Sequence, residues 1–181
     1  MNAPWLPRWV WRWFRNDSHW DTLSFFRDVP IFQGLTRRQL GRVMMAMQRR
    51  PYRAGEILFE EGQLGRAVYI LKSGKVELSR KSGNTRRVLG VLTPGQMFGE
   101  MALLEQMQRT ASATVLDDGE IYLLYTATLD TLIHQYPNIG VVLLRNTAAI
   151  LSALLRRANS ELDHYQRTHK SEIRVAFCRR C

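Results

Sequence analysis

Between Tyr52 and Tyr125 the apolar sequence is broken into short pieces. Glycine recurs at positions 55, 62, 65, 74, 83, 90, 95 and 99. The runs between them are Ile57-Leu58-Phe59, Val68-Tyr69-Ile70-Leu71, Val76-Glu77-Leu78, Val88-Leu89-Gly90-Val91 and Ile121-Tyr122-Leu123-Leu124. Short apolar runs at regular spacing, divided by turn residues, are the pattern of an all-β barrel or sandwich. Ser82-Gly83-Asn84 suits a hairpin turn.

The flanks read differently. From Trp20 to Arg50 the pattern is helical: Leu40, Val43, Met44 and Met47 recur at helical spacing, Thr36 with Gln39 suits a capping box, and the methionines read as core filler. After Thr126, Leu129, Leu132 and Ile133 predict a short helix closed by Pro137. A helix of about 25 residues follows, with Val141, Leu144, Ala148, Leu151, Leu155 and Leu162 in phase. Its apolar side requires a partner, either the barrel or the same helix of a second subunit. The fold class expected is therefore α+β: a barrel or sandwich of short strands with N-terminal helices and a long C-terminal helix. The expected divisions are a Trp/Arg-rich amphipathic segment over 1–20, a domain over 21–162 and a basic tail over 163–181. Within the domain the strands occupy about 52–125 and the C-terminal helices about 127–162.

At 181 residues, 45% of them hydrophobic and 23% charged, the chain suits one ordinary domain plus extensions and is no disordered polymer. Its formal charge of +10 invites acidic partners such as nucleic acid, anionic lipid or a phosphorylated ligand. The two cysteines, Cys178 and Cys181, supply no disulfide framework, and a reducing compartment is the simpler assumption. No apolar run is expected to reach the roughly 18 residues that span a bilayer. All five tryptophans fall within the first twenty residues, at 5, 9, 11, 13 and 20, interrupted by Arg8, Arg12 and Arg15 as no signal peptide would be. On a helical wheel the arginines form one stripe; Trp5, Trp9 and Trp13 form the next, followed by Leu6, Val10 and Phe14. That pattern suits an interfacial membrane helix and equally a helix packed on the domain or on a second subunit, and Pro4 and Pro7 weaken its first turn.

The chemistry concentrates in Phe98-Gly99-Glu100-Met101-Ala102-Leu103-Leu104, continuing to Arg109-Thr110-Ala111-Ser112-Ala113. Gly99 permits a tight turn, and free N–H groups at a following helix start suit an anion. If the chain doubles back between Glu100 and Arg109, one pocket holds a guanidinium for a phosphate and a carboxylate for a sugar hydroxyl. A pocket reading both suggests a nucleotide. The alternative is a structural Glu100–Arg109 ion pair.

This stretch resembles the phosphate-binding cassette of the cyclic nucleotide-binding domain family, as in the bacterial catabolite activator protein and the regulatory subunit of cAMP-dependent protein kinase. Tyr52 to Gly62, Val68 to Val76 and Phe32 to Thr36 resemble that family's opening strands, its next glycine-marked strand pair and the start of its first helix. The likeness covers about Leu23 to Glu161, and it implies that the strands form an eight-stranded β-roll, a double-stranded jelly-roll-like barrel. It implies that Arg109 pairs with the phosphate oxygens, that Gly99 and Ala102 offer backbone N–H groups beside Met101, and that Glu100 binds the ribose 2′-hydroxyl. Thr110 would touch the phosphate or a guanine amino group, and Leu78 and Leu89 would line the base pocket. The long helix would supply a lid through Leu154, Leu155 and Arg156. The implied ligand is cAMP before cGMP, the implied output a movement of the C-terminal helix toward an unidentified protein effector.

Other expectations complete this picture. Gln108 stands where a proline is common in the family. No helix-turn-helix fits between Gln166 and Cys181, so a stand-alone sensor is expected rather than a DNA-binding regulator. Arg37, Arg38, Arg42, Arg49, Arg50, Arg156 and Arg157 read as solvated helix faces. His164, His169, Cys178 and Cys181 match no zinc spacing, so no metal is expected, and no nucleophile–base–orienter set indicates an enzyme. A homodimer through the C-terminal helix and a cytoplasmic location, peripheral at the inner membrane through residues 5–15, are the expected associations. The competing reading is a degenerate scaffold of the same family that binds proteins or membrane and no nucleotide.

Overall fold

The run Val68-Tyr69-Ile70-Leu71 is apolar at every position because both faces of its strand are covered. Val68 and Ile70 join a core beneath the helices, while Tyr69 and Leu71 join a second core inside the roll. Ile121-Tyr122-Leu123-Leu124 divides the same way, with Tyr122 and Leu124 under the helices and Ile121 and Leu123 inside. A period of two carries successive side chains to opposite faces, so a strand buried on both sides loses its polar alternation.

The computed structural model describes residues 19–83, 85–103 and 107–178, with side chains over 22–83, 85–101 and 107–167. Two helices come first, α1 (His19–Arg27) and α2 (Arg37–Ala46), joined through a 3-10 turn at Pro30–Phe32. The strands are β1 (Gln48–Tyr52), β2 (Ile57–Phe59), β3 (Ala67–Ser82), β4 (Thr85–Leu92), β5 (Met97–Phe98) and β6 (Ser112–Tyr125), with a 3-10 turn at Glu100–Leu103 before β6. Helices α3 (Thr126–Gln135) and α4 (Pro137–Cys178) close the order. The sheet order is β1-β6-β3-β4, with β2 on β6 and β5 on β3, all antiparallel.

Among the described residues the roll has six strands, where the sequence suggests eight. The 16-residue β3 and 14-residue β6 pair along nearly their whole length, with register shifts between Leu71 and Val76. These bulges bend both strands, so each occupies the place of two. The predicted hairpin is present, with Ser82 paired to Thr85 and Gly83 at φ +59°.

The first core is centred on Phe26, whose ring meets Phe32 and Tyr122 edge-on at 5.8 and 4.6 Å. The capping box at Thr36 and Gln39 forms as expected. The helical stretch, however, ends at Ala46, and β1 begins at Gln48 rather than near Tyr52. Arg49 and Arg50 therefore lie on a strand and not on a helix face. Pro51 accounts for this, because the residue before a proline is biased away from helix.

Pro137 stands at the first position of α4, where its missing N–H costs nothing. Ile139, Leu143 and Thr147 are buried, and Asn146 Nδ2 donates to the carbonyls of Ile31 and Gln33 at 2.9 and 2.7 Å. These contacts fasten the first turns of α4 to the 3-10 turn. Asn146→Ala is expected to lower stability by about 1–3 kcal/mol, read from urea unfolding. An unchanged midpoint would remove this anchor from the account.

Helix α4 continues to Cys178, through most of the segment expected as a tail. Its stretch Pro137–Arg167 is long and apolar enough to cross a membrane by length and composition, contrary to the expectation that no such run exists. Trp5, Trp9, Trp11, Trp13 and Cys181 lie outside the described residues, as do the side chains of Trp20, His169 and Cys178. Among the described residues no three His, Cys, Asp or Glu side chains group as a metal site.

Candidate functional site

Strand β5 ends at Phe98, and Gly99 turns the chain at φ +74° into the 3-10 turn carrying Glu100, Met101 and Ala102. The chain then returns beside this turn. Arg109 Nη1 donates to the Gly99 carbonyl at 3.1 Å, and Nη2 donates to the Ala67 carbonyl at 2.7 Å. The guanidinium lies over the Phe59 ring at 4.2 Å and near the Tyr69 ring at 5.4 Å. Tyr69 in turn stacks on Phe98 at 5.2 Å. A side chain at position 99 would collide with the Arg109 guanidinium, so glycine is required there for space as well as for φ.

The backbone of Arg109 is gripped on both sides. Its N–H donates to the Gln63 carbonyl at 2.7 Å and its carbonyl accepts from Gly62 N–H at 2.9 Å. Arg80 Nε donates to the Thr110 carbonyl at 2.8 Å and pairs with Glu61 at 3.7 Å. Glu61 also accepts from Lys81 N–H at 2.9 Å. The carbonyl of Thr110 is thus fixed by β3, while its side chain is exposed.

Electrostatics make Arg109 the unusual group. It is only 8% exposed. Burial pulls its pKa below the ordinary arginine value, partly offset by Tyr69 and then by Glu100. Burial likewise raises the Tyr69 phenol. Among the described residues no carboxylate forms an ion pair with Arg109, and the expected structural alternative, a Glu100–Arg109 pair, is not formed. Two carbonyls engage two of the five guanidinium N–H groups and the Tyr69 hydroxyl is a further hydrogen-bond partner, so the N–H groups that remain suit an anion.

The remaining predicted residues divide. Glu100 is half-buried at the start of its turn and Met101 is 48% exposed. Ala102 lies in the same turn, its side chain outside the described residues. Leu78 packs against the inner core and pairs with Ala113 and Gly90. Leu89 is the extra residue where the β3–β4 register jumps from Leu78–Gly90 to Ser79–Val88, and it is half-exposed. Leu154 and Leu155 are exposed on α4, and Arg156 donates to Ser152 of its own helix at 2.7 Å. Gly99 to Ala102, Arg109, Thr110 and Leu78 are therefore gathered by the roll, whereas 154–156 stand on exposed turns. Sequence reasoning passed over Phe59, Tyr69 and Arg80 as site residues, because they reach Arg109 and Thr110 from 30 to 50 positions away.

Residues 49–136 match the model of the cyclic nucleotide-binding domain. Over 135 residues the chain is 39% identical to the cyclic AMP receptor protein of Thermus thermophilus, covering 74% of this chain and 61% of that one. Residues 49–136 are a cyclic nucleotide-binding domain. The chain is also 32% identical over 133 residues to a CRP-like cAMP-activated global transcriptional regulator of Mycobacterium tuberculosis, covering 73% of this chain and 58% of that one. The crystal structure of the Thermus catabolite activator protein superposes with a TM-score of 0.68 over 74% of this chain and 62% of that one, at 39% identity. The regulatory domain of Toxoplasma gondii PKA, crystallised with cAMP, gives 0.59 at 29% identity, covering 65% of this chain and 46% of that one. This cyclic nucleotide-binding domain chain spans about three fifths of the length of the two bacterial regulators. The relatives are regulatory by name, and the fold is the β-roll they share.

Proposed function

We propose that this chain is a non-enzymatic receptor for a cyclic mononucleotide, cAMP before cGMP. The observation that carries the reading is the buried Arg109 guanidinium, held by two carbonyls and in no ion pair with a carboxylate among the described residues. A buried cation without a counter-charge is costly, and a phosphodiester anion offsets that cost. In this reading the phosphate sits between the remaining Arg109 N–H groups and the backbone of residues 99–102. Glu100, which can only accept when ionised, takes the ribose 2′-hydroxyl. The base rests on Leu78 and Leu89 beside Thr110. The names of the Thermus and Mycobacterium relatives favour cAMP.

Isothermal titration calorimetry of the full chain with cAMP and with cGMP tests the assignment. Micromolar or tighter binding of either is expected, with cAMP the tighter. Binding of neither would transfer the function to a scaffold role.

Signalling follows as a population shift in α4, whose turns beyond Ile150 belong to neither core among the described residues. Ligand would favour the state with Leu154, Leu155 and Arg156 folded over the base. Amide exchange over residues 139–162 is expected to slow on saturation, and unchanged protection would rule out a moving lid. The output would pass to a protein effector of a cytoplasmic regulator. Helix α4 also offers a seam for a second copy. Val141, Leu144, Ala148, Leu151, Leu155, Ala158, Leu162 and Tyr165 follow alternating three- and four-residue steps. Val141, Leu155 and Leu162 are 56–65% exposed, as the seam of a helix awaiting a second copy would be.

A further inference from the structure

From Leu78 to Gly99 the chain carries four cations, Arg80, Lys81, Arg86 and Arg87, and no aspartate or glutamate. The hairpin of β3 and β4 sets them opposite one another: Arg80 pairs with Arg87, and Lys81 with Arg86. Like charges directly opposite each other destabilise a sheet. Two of the four are compensated from outside the stretch. Arg86 pairs with Glu77 at 2.7 Å and donates to the Ser79 hydroxyl at 2.9 Å, and Arg80 pairs with Glu61 at 3.7 Å. Lys81 and Arg87 enter no ion pair among the described residues.

Strand β4 is also an open edge. It pairs with β3 alone, and no other backbone hydrogen bond reaches Thr85–Leu92 among the described residues. Every residue from Thr85 to Val91 is exposed, including Val88 at 52% and Val91 at 46%. Opposite residues of a ladder share a face, so Val91 and Val88 lie with Glu77 and Ser79, on the face that carries Lys81 and Arg86. The edge therefore presents cations at its start and β-branched apolar side chains beyond them. We propose that β4 is a docking edge for an extended acidic segment of a partner protein, which adds as a further strand with carboxylates beside Lys81 and Arg87 and apolar side chains beside Val88 and Val91. In such strand addition the main chain supplies the affinity and alternate side chains the selectivity. Charge on an edge also guards it against edge-to-edge pairing. Guarding needs no opposed pairs of one sign, which weaken the hairpin until an acidic partner arrives. A second copy of this chain would bring its own Arg86 and Arg87 to the edge and add to the unmatched charge. Nucleic acid would match the cations but has no use for the valines or for the carbonyls of the edge.

The experiment is fluorescence anisotropy of the full chain with a labelled octapeptide, two glutamates followed by alternating valine and threonine. Saturable binding is expected, lost when lysines replace the two glutamates. Methylating alternate backbone nitrogens of the peptide separates a ladder from charge attraction. One alternate set turns toward β4, so its methylation is expected to abolish binding, and methylation of the other set to spare it. Lys81→Gln/Arg87→Gln is expected to weaken binding about threefold per cation. It is also expected to raise the melting temperature, because it removes one member of each like-charged pair. Wild-type affinity of this variant, equal binding of the lysine peptide, or equal binding of both methylated forms would overturn the proposal. So would the absence of binding, tighter binding of a single-stranded oligonucleotide, or self-association of the free chain that the variant strengthens.

Discussion

Arg109→Ala is expected to abolish cyclic nucleotide binding at micromolar ligand while leaving the domain folded. The guanidinium is nearly buried and already spends two N–H groups on Gly99 and Ala67, so it is oriented before any ligand arrives. A charge-assisted contact to phosphate contributes about 1.5–3 kcal/mol. Leaving the phosphate in a buried site with no cation costs more, roughly 3–5 kcal/mol, a factor of several hundred or greater in affinity. Stability should change little, because the variant loses two hydrogen bonds and also loses the cost of burying a charge. Arg109→Lys separates charge from geometry. Lysine keeps the charge but lacks the fork that reaches two carbonyls and an anion together, so it should recover only a minor part of the affinity. Titration calorimetry on both variants reads the difference. Affinity within a few-fold of wild type for Arg109→Ala would sink the assignment of this pocket.

What could be read from the sequence was whatever is local in it. Gly99, Glu100 and Arg109 lie within eleven residues, so their shared pocket is legible from one turn and one return of the chain. The clamp on that pocket is not. Phe59, Tyr69 and Arg80 arrive on β2 and β3 from 50, 40 and 30 positions before Arg109 and Thr110, and nothing local marks them. Leu89 illustrates a second limit. Its apolar character is evident, but its half-exposed place at a bulge depends on how β3 pairs with both β4 and β6. The count of eight strands failed for the same reason: bulges between Leu71 and Val76 let one strand do for two. The tail had a signal that was passed over. No glycine or proline follows Gly140, so nothing in the sequence stops α4 at Leu162. Arg49 and Arg50 were likewise marked by Pro51 as non-helical.

Gly119→Ala is expected to be the most destabilising small substitution in the roll. At this point the paired strands β3 and β6 pass each other through a run of register shifts, and the two backbones approach closely enough that each needs a glycine. A Cβ on Gly119 would collide with the Ser73 carbonyl oxygen and lie 2.8 Å from the Ser73 carbonyl carbon and 3.0 Å from Gly74 Cα. These are backbone atoms, which no rotamer change can move aside. Across the gap Gly74 holds φ +89°, and its own Cβ would lie 2.7 Å from the Asp117 carbonyl oxygen. Overpacking alone costs about 1–3 kcal/mol. A contact that cannot relax belongs at the upper end, so about 3 kcal/mol is expected for Gly119→Ala, with Gly74→Ala adding the strain of a left-handed backbone. The same contact lies in β3 between Tyr69 on one side and Leu78 with Arg80 on the other. Any variant that folds by splaying it should therefore bind nucleotide less tightly as well. Gly90→Ala is the control within the sheet, since nothing lies within 4 Å of its Cβ position and its φ is not left-handed. Urea unfolding should place Gly90→Ala within about 1 kcal/mol of wild type and the Gly74 and Gly119 variants well below it. Equal midpoints for Gly90→Ala and Gly119→Ala would mean that β3 and β6 pass with more room than the backbone geometry gives them.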